Sequence, residues 1–214
     1  MRFLVSAGPT REHIDPVRFL SNRSTGRMGF AVAAAAAAAG HTVTLVTGPV
    51  ALETPPGGIR RVDVISARDM LAALQEHLPE TDVLVMTAAV ADWRPRHTAG
   101  AKLKKAAMNP VIELEPNPDI LATLAQAKAG RTFVGFAAET GDPLPEARRK
   151  LIAKGLDLIV ANDVSRSDSG FAVDTNRVTL IGADGTFAPL PLLTKHEVAC
   201  EIVKWCETRR GTQT

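Results

Sequence analysis

The chain has 214 residues, which is long enough for one well-buried domain and short for two. Its apolar content of 45%, charged content of 22% and formal net charge of +2 are ordinary for a soluble globular protein and do not suggest a nucleic-acid partner. No apolar stretch reaches the roughly 18–20 residues of a membrane span, and the apolar start of the chain is too short for a signal peptide, so no membrane partner is expected.

Short apolar runs alternate with helical patterns along the chain. The predicted strands cover 3–7, 41–48, 61–65, 81–90, 111–117, 132–138 and 156–163. The predicted helices cover 26–40, 66–80, 118–130, 143–155 and 193–210. Their expected end signals are Gly40 and Gly130 as stops, Ser66 with Asp69 as a capping box, and Thr194 as the last N-cap.

This alternation predicts a three-layer, Rossmann-like α/β sandwich with a mostly parallel sheet. The Asp-Gly pair within residues 178–190 predicts a hairpin, which adds antiparallel strands at the C-terminal edge. Residues 1–214 are expected to form a single domain. Ligands of such folds bind beyond the carboxyl ends of the strands, which directs attention to residues 7–26, 88–105, 137–142 and 161–170.

The two cysteines, Cys200 and Cys206, lie near the end of the chain without metal-ligand spacing. On a helix they face different directions, so a disulfide between them is not expected. Reduced structural cysteines favour a cytoplasmic location.

The stretch SNRSTGRMG, residues 21–29, has a composition suited to binding an anion. It fits neither the dinucleotide glycine pattern nor the P-loop lysine pattern. The hydroxyls of Ser24 and Thr25, the glycines Gly26 and Gly29, and the helix N-terminus are together predicted to bind phosphates. The alternative is a helix start whose glycines only allow close packing.

Two polar side chains precede that stretch or lie within it. The amide of Asn22 can donate to a developing oxyanion and accept from an incoming amine, while the guanidinium of Arg18 can bind a carboxylate or phosphate with two hydrogen bonds. Taken alone, either residue is more often a loop-ordering group.

Further cationic residues lie in later loops. KLKK, residues 102–105, follows a predicted strand and is flanked by small residues, which suits a mobile flap around 93–109 that closes over a polyphosphate. Lys150 and Lys154 are spaced to lie on one helix face. Each set is also compatible with a solvated surface. Asp92 is placed to bind a ribose or base or to help hold Mg²⁺, and no protein metal site is predicted because no cluster has metal-ligand spacing.

Several segments together resemble the phosphopantothenate–cysteine ligase family of coenzyme A biosynthesis. They are SAGPTREHIDPVRFLSNRSTGRMGFAVA, VTLVTGPV, TAAVADWRP, KLKK, NPDIL, VGFAAET and LDLIVANDVS, in the family's order over about residues 4–181. The resemblance implies a two-step reaction. A nucleoside triphosphate activates the phosphopantothenate carboxylate as an acyl-nucleotide and releases pyrophosphate, and the amine of L-cysteine then forms the amide.

The resemblance also implies roles for individual residues. Asn22 and Lys102 match the family's catalytic positions. Further matches to the family's nucleotide-binding positions are Ala88, Asp92, Pro118, Asp119, Ile120, Leu121, Phe136, Lys150 and Lys154. Together with Lys102 and with Ser24, Thr25, Gly26 and Gly29 of the predicted phosphate-binding stretch, they form the expected nucleotide site, and Arg18 and Asn22 are the expected substrate-binding residues. Mg²⁺ would arrive with the nucleotide, and bacterial-style similarity favours CTP as co-substrate over ATP.

The resemblance implies a homodimer, with the 171–190 hairpin as a contributor to its interface. Many bacterial relatives are fused to a flavin-dependent decarboxylase, whereas this chain begins at its first strand; it would be a free-standing ligase or an excised domain, with a separate decarboxylase as a partner. Gly100 and Ala101 replace the family's usual Pro-Glu before the flap lysine, which bears on flap geometry.

Two other functions compete with the ligase prediction. An NAD(P)-dependent reductase of the short-chain type needs a Tyr-x-x-x-Lys pair, and this chain contains no tyrosine. A nucleotide-binding regulatory domain without turnover is disfavoured by the presence of Asn22 and Lys102, and a turnover assay distinguishes it.

Overall fold

The computed structural model describes residues 1–105, 111–163 and 173–211. The helices are α1 Arg27–Ala38, α2 Ala67–His77, α3 Ile120–Ala125, α4 Leu144–Ala153 and α5 Lys195–Gly211, with a 3₁₀ turn at Leu78–Glu80. The strands are β1 Arg2–Ala7, β2 Arg11–His13, β3 Phe19–Ser21, β4 Thr42–Thr47, β5 Arg60–Asp63, β6 Val83–Met86, β7 Trp93–Pro95, β8 Leu114–Pro116, β9 Thr132–Glu139, β10 Leu158–Asp163, β11 Thr175–Asn176, β12 Val178–Gly182, β13 Phe187–Pro189 and β14 Leu193–Thr194.

Eight strands form the central sheet in the order β13-β12-β10-β9-β6-β1-β4-β5. The pairs from β5 to β10 are all parallel, and β12 and β13 add two antiparallel pairings beyond β10. This confirms the predicted fold class and the antiparallel C-terminal edge. The chain runs from β1 outward to β4 and β5 and then returns to β6 on the other side of β1, so the order reverses between β1 and β6. Such a reversal opens a crevice at the carboxyl ends of the two strands.

Helices cover both faces of the sheet. Along β1, Phe3 and Val5 face α1 and α5, whereas Leu4 faces the opposite layer, because successive side chains of a strand point to opposite faces. The opposite layer is built from α2, α3 and α4, which contribute buried residues such as Leu74 and Leu151. The result is a three-layer sandwich with a core on each side of the sheet.

Local sequence signals account for several helix ends. Gly40, just after α1, has a φ of 80°. At α2, Ser66 and Asp69 form both hydrogen bonds of a capping box. At α5, Thr194 accepts from the Glu197 N–H at 3.2 Å while its own N–H donates to the Glu197 carboxylate at 2.8 Å. These three of the four predicted end signals are confirmed.

Other boundaries differ from the sequence prediction. Helix α3 ends at Ala125, five residues before the predicted stop at Gly130, and turns follow it. Strand β6 covers only four of the ten residues predicted, since the backbone leaves the sheet after Met86 and runs along the crevice. The loop after β1 contains an unpredicted hairpin of β2 and β3, and β7 pairs with β8.

Among the described residues, no helix combines the length and apolar character that crossing a membrane requires.

Both cysteines are free, and burial raises the pKa of the Cys206 thiol to about 12. Cys200 is exposed on the same helix. The predicted absence of a disulfide between them agrees with this arrangement.

Candidate active site

The crevice between β1 and β6 is bordered by backbone segments in close contact. Gly8 has a φ of 74°, and a Cβ there would lie 3.0 Å from the Gly48 carbonyl oxygen. At Gly48 a Cβ would lie only 1.7 Å from the Pro9 carbonyl oxygen. Glycine at these positions brings the loops after β1 and β4 together beneath the start of α1.

The N-terminus of α1 faces the crevice. Gly26, its N-cap, has a φ of 80° and no side-chain cap. The first helical hydrogen bond runs from the Phe30 N–H to the Gly26 carbonyl, so the preceding N–H groups have no partner within the helix. At Gly29 a Cβ would lie 2.5 Å from Thr87 Oγ1, so glycine allows α1 to approach the end of β6.

Two adjoining cavities occupy this edge of the sheet. The smaller cavity, of about 140 Å³, is lined by Ser24, Thr25, Gly26, Arg27, Met28, Gly29, Thr87, Ala88, Ala89, Phe136, Ala137, Ala138, Asn162, Asn176 and Lys195. The larger cavity, of about 550 Å³, is lined by Met86, Ala88, Ala89, Val90, Ala91, Asp92, Asn117, Pro118, Asp119, Ile120, Leu121, Phe136, Ala138, Arg149, Lys150, Lys154, Leu156 and Ile159. Four residues line both cavities, and they come from the segments that follow β6 and from β9.

The structure brings most of the sequence-predicted nucleotide-binding residues together on these two cavities. Ser24, Thr25, Gly26 and Gly29 line the smaller one. Asp92, Pro118, Asp119, Ile120, Leu121, Lys150 and Lys154 line the larger one, and Ala88 and Phe136 line both. Arg18, Asn22 and Lys102 are not among the described residues that line either cavity.

Carboxylates accompany the lysine pair on the larger cavity. Lys150 Nζ lies 2.9 Å from Glu139 Oε1, and Lys154 forms an ion pair with Asp119. Burial would raise the pKa of Asp119, but its hydrogen bonds with Lys154 and the Ala122 N–H outweigh burial and lower the pKa. Asp119 is also the N-cap of α3, so one carboxylate both begins the helix and orients Lys154.

Asn22 connects the first loop to the segment that follows β6. Its Nδ2 donates to the carbonyl oxygens of Ala89 and Val90, each at 3.1 Å. Ala89 in turn donates its N–H to the Gly8 carbonyl at 2.9 Å. Because the amide donors are used on the backbone, the Asn22 Oδ1 is the atom of this side chain that can accept a hydrogen bond from a ligand.

Arg18 binds within the protein at a second connection between loops. Its guanidinium donates to the fully buried Asp15 carboxylate and, at 2.8 Å, to the Leu103 carbonyl. Burial would raise the pKa of Asp15, but hydrogen bonds from the Val17 and Leu103 N–H groups and from Arg18 hold that pKa well below its usual range. The substrate-binding role of Arg18 stays a prediction, and the geometry gives Arg18 a structural role in holding the flap segment.

The predicted flap of residues 93–109 is described as far as residue 105, and residues 106–109 lie outside the described ranges. Thr98 and Ala99 bind the carbonyls of His13 and Ile14, and Leu103 binds Asp15. Lys102 is exposed next to that contact. The part of the segment that carries Lys102 therefore lies against the β2–β3 hairpin, and none of residues 93–105 lines either cavity.

Three buried polar residues line the smaller cavity although they are not among the sequence-predicted site residues, namely Asn162, Asn176 and Lys195. Asn162 lies near the carboxyl end of β10 and within 161–170, one of the segments expected to face a ligand. Its position in the sequence could therefore have indicated a site residue. Lys195 lies in the first turn of a helix, where a lysine is normally exposed, and no sequence signal indicated its burial.

The described residues contain no group of three or more His, Cys, Asp or Glu side chains arranged to hold a metal ion. The prediction that Mg²⁺ arrives with a nucleotide is not tested by this observation.

Comparison with known proteins identifies relatives over nearly the whole chain. A model of the family described as DNA/pantothenate metabolism flavoprotein C-terminal domain matches residues 1–209. The chain is 46% identical over 201 residues to the coenzyme A biosynthesis bifunctional protein CoaBC of Bacillus subtilis (strain 168), covering 94% of this chain and 50% of that protein. With the protein of the same description from Escherichia coli (strain K12) it shares 48% identity over 189 residues, covering 86% of this chain and 46% of that protein. The chain thus spans about half the length of these curated relatives.

A solved structure of similar length also matches. The crystal structure of the C-terminal domain of a coenzyme A biosynthesis bifunctional protein CoaBC superposes with a TM-score of 0.84 at 45% identity. That match covers 99% of this chain and 96% of the other. The fold and the order of its elements are therefore shared with that domain.

Proposed function

Because the chain belongs to the DNA/pantothenate metabolism flavoprotein C-terminal domain family, we propose that it is a nucleotide-dependent carboxylate–amine ligase of coenzyme A biosynthesis. Its substrates are phosphopantothenate and L-cysteine, and its co-substrate is CTP in preference to ATP. The proposal includes a cytoplasmic homodimer and leaves room for a separate or fused decarboxylase as a partner.

The proposed reaction has two steps. A carboxylate oxygen of phosphopantothenate attacks the α-phosphorus of the nucleotide, and the bond to pyrophosphate breaks. The cysteine amine then attacks the acyl carbon, loses a proton and displaces the nucleoside monophosphate. The products are the amide, pyrophosphate and the nucleoside monophosphate.

One observation carries the proposal: the two cavities adjoin, and Asn22 binds the Ala89 segment at their boundary. The larger cavity offers Asp92, the turn from Pro118 to Leu121, and the lysine pair to a nucleoside and its phosphates. The smaller cavity offers the α1 N-terminus, whose N–H groups and dipole favour a phosphate chain. A nucleotide that spans both cavities has its α-phosphate at the boundary, beside Asn22.

The residues at this site suit positioning and charge neutralisation. Nucleotidyl transfer needs little covalent chemistry from the protein, and fixed donors around the developing charge supply much of its rate. In this proposal Asn22 orients the acyl-nucleotide and accepts from the incoming amine. Lys102 is delivered by closure of the flap and stabilises charge at the α-phosphate.

Mg²⁺ is proposed to bind as part of the nucleotide complex, where it supplies charge neutralisation. This fits the chemistry of the described site, because Mg²⁺ typically keeps several waters and binds through substrate phosphates with one or two carboxylates. Two carboxylates line the larger cavity; Asp119 is paired with Lys154, and Asp92 is the one proposed to join those ligands.

The proposal predicts pyrophosphate release when the protein is mixed with CTP, MgCl₂, phosphopantothenate and L-cysteine. Parallel reactions with ATP test the nucleotide preference, and reactions that omit phosphopantothenate measure background hydrolysis. We expect release that depends on phosphopantothenate and is faster with CTP. Absence of release with both nucleotides would exclude the ligase function.

A further inference from the structure

Three of the residues that line the smaller cavity are buried polar side chains. Asn162 of β10, Asn176 of β11 and Lys195 of α5 are 7%, 4% and 6% exposed. They come from three elements that are distant in sequence from the α1 start, and all three line the smaller cavity but not the larger one. Three buried polar side chains on one cavity fit a polar ligand better than an apolar one.

Lys195 is held in place by the segment before β11. Its Nζ donates to the Val173 carbonyl, and its backbone N–H donates to the Asp174 carbonyl at 2.8 Å. The Asp174 carboxylate pairs with Arg27 of α1 at 2.5 Å. An ammonium group has three donors, so a lysine that binds a carbonyl can also bind a phosphate oxygen. The same segment therefore holds both cations, Arg27 and Lys195, on the smaller cavity.

The electrostatics of the smaller cavity favour an anion. Burial lowers the pKa of Lys195, the nearby Arg27 lowers it further, and Asp174 partly opposes both effects. Among the described residues that line this cavity, Arg27 and Lys195 are the charged ones and none is a carboxylate. A bound anion would offset both the desolvation of Lys195 and its repulsion from Arg27.

We propose that Lys195 is a further phosphate-binding residue, which contacts the pyrophosphate end of the nucleotide in the smaller cavity. The identity of the anion rests on the proposed ligase function, whereas the presence of an anion site rests on the cavity itself. Because Lys195 lines only the smaller cavity, it contacts the leaving pyrophosphate and not the nucleoside. Its role is to stabilise the charge that the departing group carries away.

The direct test is calorimetric titration of sodium pyrophosphate, without nucleotide, into the wild-type protein and into Lys195→Met. Methionine keeps much of the buried apolar volume and removes the charge. We expect pyrophosphate affinity to fall at least about tenfold, as is typical when one charge-assisted hydrogen bond is lost. Lys204→Met, an exposed lysine on the same helix, is the matched control and should keep wild-type affinity. Wild-type affinity in Lys195→Met, or no binding by the wild type, would overturn the proposal.

A second measurement needs no variant and so holds even if Lys195→Met does not fold. In a crystal structure of the wild-type protein with pyrophosphate, we expect an anion oxygen within hydrogen-bond distance of Lys195 Nζ. Pyrophosphate seated only at Lys150 and Lys154 would overturn the assignment.

If turnover fails with both nucleotides while pyrophosphate binds at Lys195, the ligase function fails and the anion site stands. If turnover is present and Lys195→Met keeps both pyrophosphate affinity and nucleotide KM, only this inference fails.

Discussion

Replacing Asn22 with Asp is expected to slow amide formation about 100-fold or more, while pyrophosphate release in the first turnover stays within about threefold of wild type. In the wild type the Ala89 and Val90 carbonyl oxygens each accept a hydrogen bond from the Asn22 amide. In the variant a carboxylate oxygen faces these two carbonyl oxygens instead. Repulsion turns the side chain away from the boundary of the two cavities. The acyl-nucleotide then forms but loses the group that positions the amine. Rapid-quench single-turnover assays measure the two steps separately.

A matched control for the change of amide to carboxylate is Gln75→Glu on α2, where the side chain is exposed. It should leave both steps at wild-type rates. Amide formation at the wild-type rate in Asn22→Asp, with the thermal midpoint unchanged, would contradict the role given to Asn22.

Gly48→Ala is expected to lower the free energy of unfolding by about 3 kcal/mol or more, at the upper end of overpacking effects. The new Cβ would lie 1.7 Å from the Pro9 carbonyl oxygen, which is a backbone atom and cannot move aside as a side chain does. Pro9 also forms a bridge to Ala89, so relief of this contact shifts the segment that Asn22 binds. Urea denaturation measures the stability loss, and the same preparation should show reduced turnover.

Gly211→Ala at the end of α5 is the control, because a Cβ there meets no atom within 4 Å. Its stability should stay within about 0.5 kcal/mol of wild type, as is usual for surface substitutions. Equal stability of Gly48→Ala and wild type would show that the loops after β1 and β4 do not need their close approach.

Features with local causes could be predicted from the sequence. The capping box of Ser66 and Asp69 and the stop at Gly40 depend on a few adjacent residues, and the structure has both. The mostly parallel sheet follows from the alternation of apolar runs with helical patterns, and the family assignment made from the quoted motifs is confirmed. Residues after strand ends were correctly placed on one edge of the sheet because parallel strands share that edge.

Features with non-local causes could not be predicted from the sequence. Strand β7 pairs with β8 about twenty residues later, and the turn between β2 and β3 contains Asp15, whose carboxylate accepts from the distant Leu103 N–H. The pair Asp15-Pro16 was a turn signal that could have indicated that hairpin. Lys195 donates to the carbonyls of Val173 and Asp174, which lie about twenty residues earlier in the chain, so no local sequence pattern marks its burial. Flap closure and the roles of Lys102 and Arg18 stay predictions.

Transfer of oxygen during turnover tests the central claim of an acyl-nucleotide intermediate most directly. Phosphopantothenate labelled with ¹⁸O in both carboxylate oxygens is converted with L-cysteine and CTP, and the products are analysed by mass spectrometry. Attack on the α-phosphorus predicts one labelled oxygen in the nucleoside monophosphate and none in pyrophosphate. Label in orthophosphate, formed together with a nucleoside diphosphate, or turnover with no label in the monophosphate would contradict the proposed reaction.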